Sequence, residues 1–254
     1  MRLPVNQFKA ALALGKSQVG LWNSMGGNSA RDVVGSAGFD FVVVDTEHAA
    51  TETVEVQYAL QVLAGYPDVA PIVRPAANDP VLIKRHLDMG AQTLLVPMVD
   101  TAQEAAAAVA SMRYPPRGVR GMAGAVRATR YGRVQNYVQN VESELCLVVQ
   151  VESAQALDQL EEIAGVDGVD AVFFGPSDLS ASLGYPGQPA HPEVVRVMEE
   201  GIARLAKLDV PSGILQLNPD AARHFIEVGA AFVAVGLDVD VLVKALAGLK
   251  SEFR

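Results

Sequence analysis

Three polar clusters follow three apolar runs in this chain, and their side chains are of the types that bind a cation or move a proton. Segment 42–50, VVVDTEHAA, places two carboxylates and a histidine behind a run of valines. Segments 147–153 and 171–180 end in the same way, in LVVQVES and FFGPSDLS. The polar residues are Asp45, Glu47, His48, Gln150, Glu152 and Asp178. Because carboxylates bind hard cations and histidine transfers protons near neutral pH, the pattern predicts one metal-dependent site.

Glu152 and Asp178 are the candidate metal ligands. Mg²⁺ is typically bound through one or two carboxylates, with water and substrate oxygens in its other positions. Mn²⁺ or Co²⁺ could use the same oxygens. A zinc site is disfavoured because His48 is the single histidine that follows an apolar run. The alternative is that both carboxylates merely cap helices at the rim.

Eight short apolar runs must position these residues, and each is typical of a buried parallel strand. They occupy 19–22, 41–47, 70–75, 93–99, 145–152, 171–176, 212–215 and 232–237. Segments with helical spacing lie between them, at 53–63, 79–90, 101–113, 155–164, 191–208, 218–229 and 240–253. This alternation predicts a single (β/α)8 barrel domain over residues 1–254. An open doubly wound sheet remains the alternative.

In such a barrel the catalytic groups lie at the carboxyl ends of the strands. Gln150 and Glu152 would share a face, because side chains alternate along a strand. Arg74 ends the third run, where it could pair with a rim carboxylate or stabilise a developing oxyanion. All six lysines fall in helical or N-terminal segments, which disfavours Schiff-base chemistry.

Composition narrows the choice of partners and compartment. With 20 basic and 29 acidic residues the net charge is −9, which repels nucleic acid and anionic membranes. No apolar run approaches the ~20 residues that span a bilayer. The lone Cys146 excludes an intrachain disulfide and favours a reducing, cytoplasmic location. Residues 113–134, with six arginines, are expected to form an extended loop, either a surface or subunit contact or a lid that attracts an anionic substrate.

Seven segments together resemble one known family. They are GLWNS, DFVVVDTEHA, PIVRP, DMGAQTLLVPMV, RGVRG, VVQVES and FFGPSDLSASLGYPG, and they span residues 19–187. The chain thereby resembles the HpcH/HpaI class II aldolases. The resemblance implies a barrel of the phosphoenolpyruvate/pyruvate superfamily type. Its expected reaction is reversible cleavage of 4-hydroxy-2-oxo acids to pyruvate, or hydroxypyruvate, and an aldehyde, through an enolate held on Mg²⁺, Mn²⁺ or Co²⁺ without an organic cofactor.

The resemblance also implies roles for individual residues. His48 would be the base, Arg74 would stabilise the enolate charge, and Asp45 would orient the aldehyde. The metal would be held by Glu152 and Asp178. The expected substrate-binding residues are Trp22, Gln150, Ser177, Asp178 and Leu215.

Asp88 is the remaining catalytic residue that the resemblance implies, as the group that raises the basicity of His48. It lies near the end of the third helical segment, at the wrong end of its own barrel, so it could reach His48 only from a neighbouring subunit. The resemblance accordingly implies a homo-oligomer, a hexamer built as a trimer of dimers. A solvated aspartate is the alternative.

Two other functions stay open. A citryl- or malyl-CoA lyase would use a similar Glu/Asp metal pair, although the DTEH segment argues against it. A non-catalytic ligand-binding barrel would have no need of Arg74, His48, Glu152 and Asp178 together. The physiological aldehyde is not fixed by the sequence, and a role in aromatic hydrocarbon catabolism is expected only from the resemblance.

Overall fold

The computed structural model describes residues 1–253 and shows a closed barrel of eight parallel strands in chain order. The strands are β1 (Gln18–Asn23), β2 (Phe41–Asp45), β3 (Ala70–Arg74), β4 (Thr93–Val96), β5 (Cys146–Val151), β6 (Ala171–Phe174), β7 (Ser212–Leu215) and β8 (Phe232–Leu237). The predicted (β/α)8 barrel is therefore confirmed, and the open sheet was the wrong alternative. β4 ends earlier than its apolar run, because Pro97 has no N–H for the ladder and Met98 has a left-handed φ of 51°.

Helices separate the strands and surround the barrel. They are α1 (Gln7–Ala13), α2 (Asn28–Ser36), α3 (Thr53–Leu63), α4 (Pro80–Asp88), α5 (Ala102–Met112), α6 (Tyr137–Asn140), α7 (Ala154–Asp158), α8 (Leu160–Ala164), α9 (Pro176–Ser182), α10 (Pro192–Ala206), α11 (Pro219–Val228) and α12 (Asp238–Ser251), with a 3₁₀ helix at Val141–Glu144. The helix predicted at 155–164 is divided because Gln159 leaves the helical region, with ψ at 17°. Residues 113–136 contain turns without regular elements, as expected of an extended loop.

The interior of the barrel is a packed aromatic and aliphatic core. Phe8 of α1 closes the end at which the strands begin, with its ring centroid 5.6 Å from that of Phe41 and 5.1 Å from that of Phe232. Cys146 lies in the same core, where burial raises the pKa of its thiol well above the ordinary value. Such a neutral, inaccessible thiol behaves as a small hydrophobe.

The last helix, α12, differs from the other barrel helices. Of its 14 residues only Asp238 is buried. The outward-facing Val19 and Val235 remain partly exposed between β1 and β8, whereas the corresponding Val44 of β2 and Val73 of β3 are fully buried. The outer surface between β8 and β1 is thus incompletely covered. Within residues 1–253, no helix has the length and apolarity needed to cross a membrane.

Candidate active site

Arg74, Asp45 and Glu47 form a guanidinium clamp where β1, β2 and β3 end. The parallel register places Asp45 directly beside Arg74. Arg74 Nε donates to Asp45 Oδ1 at 2.8 Å, and Nη2 donates to Oδ2 at 2.7 Å. Its Nη1 lies 2.6 Å from Glu47 Oε2. The Trp22 indole N–H also donates to Asp45, at 3.2 Å, and its ring lies 4.7 Å from Arg74 Cζ. Arg74 is consequently fixed on three sides.

The two carboxylates of the clamp have opposite pKa shifts. Burial alone would raise the pKa of Asp45, but the hydrogen bonds and charge of Arg74, with the Glu47 amide and the Trp22 indole, leave it below its ordinary value. Burial raises the pKa of Glu47, and the attraction of Arg74 offsets this only in part because Asp45 and Asp178 repel its charge. Asp45 is therefore ionised at neutral pH, while the charge of Glu47 is poorly compensated.

A second group of side chains comes from β5. Glu152 is 2% exposed and follows the strand. Its Oε2 accepts from the Gln150 amide, and its Oε1 accepts the Met98 N–H at 2.8 Å. A Cβ on Gly175 would lie 2.3 Å from Glu152 Oε2, so glycine is required there for space. The left-handed backbone of Met98, costly for a non-glycine residue, aims its amide at the carboxylate.

Glu152 carries the strongest electrostatic signal in the site. Burial raises its pKa to about 7, despite the Met98 amide, and the nearby charges of Glu47 and Asp178 act in the same direction. Gln150 Oε1 is buried without a hydrogen-bond partner. Crowded carboxylates beside an unpartnered oxygen fit a divalent cation. Mg²⁺ is typically bound through one or two carboxylates, with water and substrate in its other positions, and Glu152 and Asp178 are the carboxylates that would supply them.

The remaining predicted residues lie around the same mouth, with one exception. His48, Ser177 and Asp178 are exposed at the rim, and Leu215 is partly buried against the inner core. β2 ends at Asp45, so the chain has left the strand before His48. Asp88 ends α4 at the opposite end of the barrel, where its Oδ1 accepts from Arg120 Nη2 at 2.7 Å. It is 21% exposed and ion-paired.

Three residues that shape the site have no individual role in the sequence-based predictions. Glu47 stands inside the DTEH segment, yet its pairing with Arg74 depends on the loop after β2. Gly175 precedes PSD, and its need for space becomes clear only beside Glu152. Met98 acts through its backbone, for which the side-chain type gave no signal.

The fold and site define a class of protein: a (β/α)8 enzyme with carboxylates, a clamped arginine and a rim histidine at the carboxyl ends of its strands. Known proteins agree. Residues 18–245 match the model of the HpcH/HpaI aldolase/citrate lyase family. A pyruvate aldolase of Rhizobium etli is 53% identical over 253 residues, covering 100% of this chain and 99% of the relative.

Two further proteins support the same placement. A hydroxypyruvate/pyruvate aldolase of Sagittula stellata is 49% identical, with 100% of both chains covered. The crystal structure of a family member from Burkholderia cenocepacia J2315 superimposes with a TM-score of 0.95 at 38% identity, covering 98% of this chain and 100% of the other. The chain belongs to the HpcH/HpaI aldolase/citrate lyase family, and it is a carbon–carbon lyase of the aldolase type.

Proposed function

We propose that the protein is a divalent-metal-dependent, class II aldolase that reversibly cleaves 4-hydroxy-2-oxo acids to pyruvate, or hydroxypyruvate, and an aldehyde. The observation that carries the proposal is the buried Glu152, with its pKa raised to about 7, beside the Arg74–Asp45 clamp. The carboxylate lacks a compensating cation, and the arginine provides a fixed positive charge a short distance away. A 2-oxo acid enolate needs both.

Each residue has a defined task in this reaction. Glu152 and Asp178 would hold Mg²⁺, Mn²⁺ or Co²⁺, which when bound would act as a Lewis acid toward the 2-oxo acid. Arg74 stabilises the negative charge of the enolate, and Asp45 keeps its guanidinium in place. His48, exposed at the rim, takes a proton from the pyruvate methyl group, or from the C4 hydroxyl in the cleavage direction.

Side chains around the same mouth would contact the substrate. Gln150 presents a buried amide, and Trp22 and Leu215 supply apolar surface. Ser177 and Asp178 lie at the exposed side, where the aldehyde would enter. The relatives named for pyruvate and hydroxypyruvate support either 2-oxo acid as a substrate. A cytoplasmic location and a role in aromatic hydrocarbon catabolism remain predictions.

A homo-oligomer is also part of the proposal, and α12 supports it. Val239, Leu242, Leu246, Leu249 and Phe253 follow a 3-4-3-4 spacing and are 39% to 81% exposed. The spacing forms one apolar stripe along a helix about 21 Å long, with Phe253 just past its last residue, Ser251. The incompletely covered outer surface between β8 and β1 offers a second copy a matching apolar surface. Exchange of α12 between two copies would cover both surfaces more fully than a single chain does.

Asp88 would then act across subunits, as the predicted trimer of dimers requires. Its position at the end of α4 keeps it away from its own His48, and its carboxylate is partly accessible beside Arg120. A neighbouring subunit would bring that face of the barrel toward the mouth of another. The stoichiometry can be measured directly by light scattering.

Deuterium exchange into the methyl group of pyruvate tests the chemistry without requiring the aldehyde. We expect NMR to show exchange by the enzyme with Mn²⁺ or Mg²⁺, and loss of exchange with EDTA or in Glu152→Gln and His48→Ala. His224→Ala is the matched control, because His224 is an exposed histidine on α11. Absence of exchange in the metal-loaded wild type would refute the aldolase proposal and favour CoA-thioester cleavage or binding without turnover.

A further inference from the structure

Asp238, the first residue of α12, stands beside the active site without belonging to it. It is 8% exposed and directly follows β8. The ladder between β1 and β8 contains an irregularity here: Gly20 pairs with Ala234, but Trp22 pairs with Leu237. One extra residue of β8 is therefore accommodated, as in a β-bulge, a feature that redirects side chains near active sites. The bulge brings Asp238 to the end of β1.

At that position the carboxylate accepts four hydrogen bonds from one continuous segment, 23–25, and a fifth from the next residue of its own helix. Asp238 Oδ2 accepts from Asn23 Nδ2 at 2.6 Å and from the Met25 amide at 3.0 Å. Its Oδ1 accepts from the amide and hydroxyl of Ser24 at 3.0 and 3.1 Å, and from the Val239 amide at 2.8 Å. Five donors more than occupy the roughly four lone-pair sites of one ionised carboxylate. The segment 23–25 is thus fixed to the start of α12.

The charge of Asp238 has a buried counterpart that does not contact it. Arg31 of α2 is 1% exposed, and its Nε and Nη2 have no hydrogen-bond partner. Burial lowers the pKa of Arg31, while the charges of Glu55 and Asp238 favour its ionised form. The arginine balances the charge of the carboxylate from a distance, so the Asp238 oxygens stay available to segment 23–25 and to the Val239 amide.

The residue before this segment is Trp22, which contacts both Arg74 and Asp45 of the guanidinium clamp. Trp22 and Asn23 point to opposite sides of β1, so the bonds that fix Asn23 on the outside also fix the indole on the inside. We propose that Asp238 is a positioning residue of the aldolase, which holds Trp22 against Arg74 and Asp45 through its hydrogen bonds to Asn23–Met25. This inference rests on the proposed function, because the clamp matters only if Arg74 stabilises the enolate.

Trp22 is the only tryptophan in the chain, so it reports directly on the proposed effect. Asp238→Asn keeps the size of the side chain but places an N–H₂ group against donors. We expect a red-shifted Trp22 emission and a fall of about tenfold in the maximal rate of pyruvate deuterium exchange, since small misplacements of a catalytic group slow reactions strongly. The affinity for Mn²⁺, measured by EPR, should stay within twofold.

Asp240→Asn is the matched control, because Asp240 lies on the same first turn of α12 and pairs with Lys244 instead. It should leave both the emission and the exchange rate unchanged. Ser24→Ala removes a single donor and should change both readouts in the direction of Asp238→Asn, by less. This second variant keeps the test valid if Asp238→Asn does not fold.

Two results would overturn the inference. In the first, Asp238→Asn lowers the melting temperature with no change in Trp22 emission or exchange rate, which indicates a purely structural role. In the second, Asp240→Asn has the same effects. Failure of the proposed function looks different, because the wild type itself would then show no exchange, while the emission shift of Asp238→Asn would still show whether the carboxylate holds the indole.

Discussion

Arg74 and Arg120 are two buried arginines at opposite ends of the barrel, and their surroundings differ in a way that separates chemistry from structure. Each pairs with an aspartate and stacks on an aromatic ring, Arg74 at 4.7 Å from Trp22 and Arg120 at 4.6 Å from Tyr114. Arg74 faces both Asp45 and Glu47, with further carboxylates nearby. Arg120 has a single carboxylate, Asp88, and two guanidinium nitrogens without partners.

The difference lies in charge balance. At the Arg120 end one cation meets one anion, and the pair closes the long loop against α4. At the Arg74 end the negative charges outnumber the arginine, and burial leaves Glu152 with a pKa of about 7. An excess of buried negative charge destabilises the protein unless a cation binds. This unbalanced charge distinguishes the active site from the internal ion pair of Arg120 and Asp88.

Removing Arg74 should have the largest effect. We expect Arg74→Ala to slow pyruvate deuterium exchange by about 10²–10³-fold, the range for loss of one oxyanion-stabilising group. Arg74→Lys keeps the charge but loses the two-point contact with Asp45, so an intermediate rate is expected. Exchange measured by NMR at saturating Mn²⁺ checks both. A rate in Arg74→Ala within threefold of the wild type would contradict the enolate role.

Neutralising Glu152 should stabilise the metal-free protein. The folded-state pKa of Glu152, about 7, lies above the unfolded value. Ionisation of Glu152 therefore lowers the free energy of unfolding as pH rises from about 4.5 to 7. Glu152→Gln removes this loss, so we expect a gain of up to about 3 kcal/mol at pH 8 in EDTA, and none at pH 4.5. Urea unfolding at both pH values measures it. Equal stability of the variant and the wild type at pH 8 would show that Glu152 is not destabilised by its burial.

Breaking the Arg120–Asp88 ion pair should lower the stability of the protein, whereas Glu152→Gln should raise it. Arg120→Met leaves Asp88 without its partner, and we expect a loss of about 2–3 kcal/mol, below the value for a fully buried pair because Asp88 is 21% exposed. The double variant Arg120→Met/Asp88→Asn should recover part of this loss, since neither charge then remains unpaired. Urea unfolding gives the coupling energy. Additive effects of the two single changes would mean that the pair contributes nothing as a pair.

The sequence predicted the strands, the barrel and most of the mouth, because these depend on local patterns. Apolar runs followed by polar residues locate strand ends, and barrel topology gathers those ends at one face. The partners of Arg74 depend on the register between β2 and β3, which periodicity does not determine. The amide of Met98 and the bulge in β8 depend on backbone conformations that no side-chain pattern encodes. The position of α12 depends on what packs against it.

His86, near the end of α4, should have the smallest of these effects on stability. It is 2% exposed, and burial, assisted by the charge of Arg85, lowers its pKa to about 4. The unfolded chain therefore binds a proton first as pH falls below about 6.5, and stability decreases on acidification. Between pH 7 and 5.5 the loss should be about 1.2 kcal/mol. Over this pH range, the buried His86 thus lowers the free energy of unfolding on acidification, whereas protonation of Glu152 raises it.

His86→Leu should abolish this part of the pH dependence, because the variant has no proton to take up at that position. The measurement is the change in unfolding free energy between pH 7 and 5.5, in EDTA, for the variant and the wild type. His224→Leu, a change of an exposed histidine, controls for the loss of one titrating group at the surface. If the wild type and His86→Leu lose the same stability over this range, His86 takes up its proton as readily in the folded protein as in the unfolded chain.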